Sequence, residues 1–208
     1  MNEPVAKRAV IYVDGQNLFN SAKEAFGYPY PNFDISKLAE HVCVANGWLN
    51  GGIRFYTGIP DRTADPARYG FWVAKLAAMG TRGIKTYTRP LRYSNQIVRL
   101  PNGGVATASV GREKGIDIRI ALDIVREALD NLLDVAVIFS QDQDLSEVAQ
   151  ELRQIAQKES RWIKMACAYP DSPTMRNRRG INGTDWIPLD RSAYDACIDP
   201  VDYRPRSN

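Results

Sequence analysis

The chain has 208 residues, 44% of them hydrophobic and 25% charged, with a net charge of +3. That length suits one well-filled α/β domain and is short for two. No apolar run approaches the roughly 20 residues of a membrane helix, the opening MNEPVAKR holds no signal-like apolar region, and Cys43, Cys167 and Cys197 form no CxxC pair. These features argue against a membrane protein, a disulfide framework and a structural zinc site, and we expect a cytoplasmic protein whose cysteines are small core residues.

Strand and helix signals alternate along the chain. RAVIYV (8–13) reads as a buried strand ending in a Gly-containing turn, and Leu18, Ala22, Ala25 and Phe26 follow at helical spacing. After the Pro-rich GYPYPNF, Asp34 is the expected N-cap of a helix through Ile35, Leu38, Ala39, Val42 and Cys43. GIRFYTGIP (52–60) is a second strand, Pro66 to Met79 a helix, and GIKTYT (83–88) a third strand. LRYSNQIVRL and VATASV flank the turn PNGG, the signature of a hairpin. Ile116 to Leu129 is a helix, VAVIFS (135–140) a fourth strand, Leu145 to Ala156 a helix, and WIKMACAY (162–169) a fifth strand. Repeated strand–helix units predict a mostly parallel five-stranded α/β sheet with helices on both faces and an inserted β-hairpin. We place one domain over residues 1–170 and treat 171–208 as a C-terminal extension packed on or near it.

Two apolar strands end in carboxylates. AVIYVDGQNLF stops at Asp14, and VAVIFSQDQDL at Ser140, Asp142 and Asp144. Ligands of such sheets bind beyond the carboxyl ends of the strands, where strand order reverses. If the first and fourth strands are neighbours there, about 4.8 Å apart, Asp14 and Asp142 come together. Asp117 shares a helical stripe with Ile120, Ala121, Ile124 and Ala128, so it should be buried or face a cleft. Each has a plainer role open to it. Asp117 complements the helix dipole in the first turn, Asp144 with Glu147 resembles a capping box, Asp142 suits turn amides, and Asn17 suits turn closure after Gly15. Asp123 shares its face with Arg119 and Arg126, where ion pairing suffices.

Clustered carboxylates repel, and a hard divalent cation relieves them; all-oxygen ligation selects Mg2+ or Mn2+, and the sole histidine, His41, has no Cys or His partner for zinc. Such a cation would activate water and stabilise the leaving oxygen of a phosphodiester. Charge is also segregated. From Pro66 to Gly111 there is no acidic residue, while Glu113 to Glu151 carries ten carboxylates. A positive flank beside an acidic cluster suits a polyanion held at a metal site, and two solvated faces of opposite sign would look the same. Lys114, Arg89, Arg92 and Arg112, with Arg176, Arg178 and Arg179 of RNRR, are the candidate nucleic-acid contacts. Tyr69, Trp72, Tyr87 and Tyr93 lie between the cations and suit either base stacking or the core. No GxxxxGK[ST], GxGxxG or nucleophile–histidine pattern is present.

YVDGQNLF, KGIDIRIALDIV after the hairpin, and SQDQDL resemble, in this order and spacing, the NYN domain of the PIN-like nuclease superfamily, specifically its LabA-like bacterial group, over most of residues 7–170. The resemblance implies a PIN-like (Rossmann-like) fold and a metal-dependent ribonuclease acting on single-stranded RNA. It implies Asp14, Asp117, Asp142 and Asp144 as the catalytic and metal-binding carboxylates, with Asn17, Ser140 and Asp123 supporting them. Gln141 and Leu145 depart from the pattern, which more usually has small residues and Phe there. A catalytically silent RNA-binding regulator on the same fold remains the alternative.

Overall fold

The run from Ala9 to Val13 has no charged side chain to place in water and is buried throughout, so it forms the middle of a central strand, β1 (Lys7–Asp14). In the computed structural model, which describes residues 2–99 and 103–205, α1 (Gly15–Phe26) follows β1 directly. The expected turn is absent, because Gly15 is itself the first helical residue. A Cβ there would lie 3.0 Å from the Tyr56 carbonyl oxygen, so the helix can start this close to the neighbouring strand only with glycine. The chain continues as α2 (Ile35–Asn46), β2 (Trp48–Ile59), α3 (Pro66–Thr81) and β3 (Lys85–Pro90). Asp34 caps α2 as expected, accepting from the N–H groups of Ser36 and Lys37.

The hairpin β4 (Arg92–Arg99) and β5 (Val105–Arg112) is antiparallel and forms a separate two-stranded sheet; Pro101 and Asn102 of its expected PNGG turn lie outside the described residues. Then come α4 (Ile116–Leu129), β6 (Val135–Phe139), a 3-10 turn (Gln143–Leu145), α5 (Ser146–Lys158), β7 (Lys164–Pro170), β8 (Asp185–Leu189) and α6 (Arg191–Asp195). The main sheet is parallel throughout and has six strands in the order β3-β2-β1-β6-β7-β8, one more than the five expected. The extra strand, β8, comes from the C-terminal segment. Its sequence, DWIPL, carries a proline, which an edge strand tolerates and which hides the strand signal.

Alternation along β1 divides the core. Ala9, Ile11 and Val13 face one side with α1, α2 and α3, while Val10 and Tyr12 face the other with α4 and α5. The expected apolar positions of α5 (Val148, Ala149, Leu152, Ile155 and Ala156) are all buried, as are the three free cysteines. The chain leaves β1 toward β2 and β3 on one side and returns beside β1 as β6, so the strand order reverses at β1. No helix among the described residues is long and apolar enough to cross a membrane.

Candidate active site

The carboxyl ends of β1 and β6 pair in parallel, with Val13 opposite Phe139, and the next residues of each strand open onto one cleft of about 430 Å³. Asp14, at an even position of β1, is on the α4 side of the sheet. Asp14, Asp142, Asp117 and Glu113 all line the cleft, with Lys114 and Gly115 between them. Asp14 is only 8% exposed. Its Oδ1 accepts the Asn17 N–H at 2.9 Å, which caps α1. Burial, opposed by that hydrogen bond and aided by repulsion from Glu113 and Asp142, pushes its pKa up to about 7.

Glu113 has no precedent in the sequence reading, which counted it only among the acidic residues. Its carboxylate accepts the Gly58 N–H and, at 3.5 Å, the Thr57 hydroxyl, so it is anchored on β2 beside β1. Gly58 permits this, since a Cβ there would lie 2.6 Å from Glu113 Cγ. Burial raises the Glu113 pKa; the hydrogen bonds from Gly58 and Thr57 oppose this, and the charge of Asp117 adds to it. The signal available in the sequence was its place two residues before the Gly115 N-cap of α4. That cap has positive φ (+74°) and no side-chain acceptor, so the positive end of α4 opens onto the cleft.

Asp142 has both roles considered for it: it lines the cleft, and its Oδ1 accepts the Asp144 N–H at 3.1 Å. Ser140 supports it, its Oγ accepting the Asp142 N–H at 3.2 Å. Asn17 bridges the two acidic loops, because its side-chain Oδ1 also accepts the Gln141 N–H at 3.0 Å. Among the described residues no group of three or more His, Cys, Asp or Glu side chains is gathered closely enough to hold a metal ion. The cleft supplies carboxylate oxygens without a closed cage.

A family model of the NYN domain matches residues 8–160, which include β1 from Arg8 onward, Glu113, α4 and the Ser140–Asp144 loop. The chain belongs to the NYN domain family. This places it in the PIN-like nuclease superfamily. The fold is shared with the crystal structure of a protein of unknown function from Vibrio parahaemolyticus: 19% identity, 92% of this chain and 98% of that chain covered, TM-score 0.53. MurG of Acinetobacter baumannii is 8% identical with a TM-score of 0.32 over 88% of this chain and 45% of its own, too low for any argument. No curated protein matches the chain.

Within the NYN domain, two expected carboxylates lie away from the cleft. Asp144 is exposed and does not line it. Nor does it form the expected capping box, because α5 starts at Ser146 with Leu145 as an N-cap that makes no side-chain bond. Asp123 is buried under α4, where it accepts from Arg119 at 2.8 Å, Arg126 at 2.6 Å and the Tyr56 hydroxyl at 3.0 Å. It is an ion-paired structural group, six residues beyond Asp117 along the helix.

The cations divide similarly. Lys114 lines the cleft, and Arg89 stands beside it, donating to the Lys114 carbonyl at 3.4 Å and to the Tyr87 hydroxyl at 2.8 Å. Arg92 and Arg112 are directly opposed at the base of the hairpin, both exposed, with Arg112 also donating to Gln96 at 3.1 Å. Like charges in that register repel, and an anion lying over them would relieve it. Arg178 is paired with Asp171 through two hydrogen bonds, whereas Arg176 and Arg179 are exposed on a loop tied to the acidic site. The tie is Gln141, whose Nε2 donates to the carbonyls of Asn177 and Arg179 and whose Oε1 accepts from Ser21. Gln143 adds a bond to the Gly180 carbonyl at 3.0 Å. The glutamine that departs from the family pattern is thus the latch for the C-terminal loop.

Proposed function

We propose that this NYN domain is a Mg2+- or Mn2+-dependent endoribonuclease that hydrolyses single-stranded RNA in the cleft between β1, β6 and α4. The observation that carries this is the convergence of Asp14, buried at the strand-order reversal, with Asp142, Asp117 and Glu113 on one cleft. The donor set fits a hard cation: all-oxygen, multiply anionic, and open enough for a metal that keeps several waters and binds through one or two carboxylates and the substrate phosphate. Asp14 and Asp142 would hold it, with Asp117 and Glu113 as further oxygen donors. When bound, it supplies an activated water and charge stabilisation for the leaving oxygen. The chain's own residues fix the geometry: Asn17 and Ser140 orient the two acidic loops, and Thr57 with Gly58 orients Glu113. Lys114, Arg89 and the Arg92–Arg112 pair receive the flanking phosphates. We assign the chain to the LabA-like group on its motifs and to the cytoplasm on its free, buried cysteines.

The second reading, a catalytically silent RNA-binding regulator, is favoured by the lack of a gathered three-carboxylate group among the described residues and by the exposed position of Asp144. Incubating the protein with end-labelled single-stranded RNA in magnesium, in manganese and in chelator decides between them. Cleavage only with cation supports the nuclease. Binding without cleavage in any of the three supports the regulator.

A further inference from the structure

Beside the acidic cleft lies a second, larger groove of about 710 Å³. One wall is aromatic: Phe71 and Trp72 of α3, packed edge-to-face at 5.4 Å, with Phe19 of α1 and Tyr30 of the loop before α2. Phe19 and Tyr30 are each half-buried, so their rings are partly presented to a ligand. Lys23, Arg68 and Arg204 supply the charge, and no Asp or Glu is among the described residues that line the groove. Arg68 lies 3.8 Å from Asp65, and Arg204 is paired with Asp202 at 2.7 Å while its guanidinium covers the Tyr30 ring at 4.1 Å. These contacts are on exposed side chains, where pairing leaves a cation available to an incoming anion.

The groove adjoins the cleft at the carboxyl edge of the sheet. Thr57 and Gly58 line the groove and hold the carboxylate of Glu113, which lines the cleft. Gln16 lines the groove two residues after Asp14. An aromatic, cation-rimmed groove that shares a wall with an acidic cleft matches the alternating chemistry of an unpaired polynucleotide, whose bases stack and whose phosphates are anionic. A neutral or basic peptide would leave the cations without partners, and an acidic one would bring no regular planar rings to the aromatic wall.

We propose that this groove receives an unpaired nucleotide next to the one at the acidic cleft, its base against the aromatic wall and its phosphate toward Lys23 and Arg68. The proposal rests on the reading of the cleft in taking RNA as the ligand, but its test does not depend on cleavage. The affinity of a short fluorescein-labelled oligouridylate is measured by anisotropy in chelator, at fixed salt, for wild type, Lys23→Glu/Arg68→Glu, Tyr30→Ser and Tyr30→Phe. Charge reversal should weaken binding by about tenfold or more, and Tyr30→Ser by about tenfold while Tyr30→Phe binds as wild type. A duplex of the same length should not compete. Unchanged affinity in the charge-reversed protein, which alters only exposed side chains, overturns the proposal whatever Tyr30→Ser does to folding. So does a sedimentation shift from dimer to monomer in that variant with oligouridylate affinity retained, because the groove would then join two copies of the chain. Groove-dependent binding without metal-dependent cleavage would keep this inference and remove the nuclease; cleavage with groove-independent binding would do the reverse.

Discussion

The side-chain oxygen of Asn17 accepts the main-chain N–H of Gln141 at 3.0 Å, joining the start of α1 to the loop after β6 across the sheet. Its own N–H is bound to Asp14, so one residue sets the spacing of both acidic loops. Asn17→Ala keeps the bond to Asp14 and leaves the Gln141 N–H without its acceptor. We expect a loss of about 1–3 kcal/mol in denaturant unfolding and a larger proportional loss of cleavage than of RNA affinity. Unchanged stability and unchanged cleavage would mean that the spacing is set elsewhere.

Gln141 holds the Arg176–Gly180 loop through its side-chain amide. Gln141→Ala should release that loop, so limited trypsin digestion should cut after Arg176, Arg178 or Arg179 faster than in wild type. Equal cutting rates would show that the Gln143 bond to Gly180 and the bond from the Tyr169 hydroxyl to the Arg178 carbonyl suffice.

Asp14 gives the apo protein a defined pH dependence. Its folded pKa is about 7 against an ordinary 3.8, so the folded state binds the proton more tightly than the unfolded chain. The associated stability is fully present below pH about 4 and lost as pH rises through about 7. In chelator at pH 8, Asp14→Asn should therefore exceed wild type by on the order of 4 kcal/mol, and the difference should vanish or reverse near pH 4. Urea unfolding of the two proteins at both pH values checks the sign. A pH-independent difference would contradict the assigned shift.

Arg92 and Arg112 face each other in the hairpin, which predicts opposite signs for stability and binding. Arg112→Glu should stabilise the free hairpin by about 0.2–1 kcal/mol, visible as slower amide exchange, and should weaken RNA binding and flatten its salt dependence. Faster exchange together with unchanged binding would remove these arginines from the interface.

How much of this was legible in the sequence follows from what each residue depends on. The meeting of Asp14 and Asp142 was readable because both end apolar strands, and strand order in a parallel α/β sheet brings such ends together. Asp117 was readable from helical periodicity. Glu113 was not, because its role comes from Thr57 and Gly58, fifty-five or more residues away, and from a close approach that only glycine at position 58 allows. Asp123 and Asp144 matched a motif, but neither side chain is among those lining the cleft: α4 turns Asp123 under Tyr56, and the 3-10 turn leaves Asp144 in solvent. The strand β8 lacked a signal because it is short and contains Pro188. Gln141 looked like a departure from pattern until its partners in the C-terminal loop could be seen.

If the cleft around Asp14 and Asp142 cleaves RNA with a divalent cation, both carboxylates are needed for turnover. The most direct measurement is single-turnover cleavage of labelled single-stranded RNA in manganese by wild type, Asp14→Asn and Asp142→Asn, with circular dichroism confirming that each is folded. Wild type should cleave only with the cation and not in chelator, and each folded variant should lose about a hundredfold or more. Cleavage that persists in chelator, or that survives both substitutions, would contradict this.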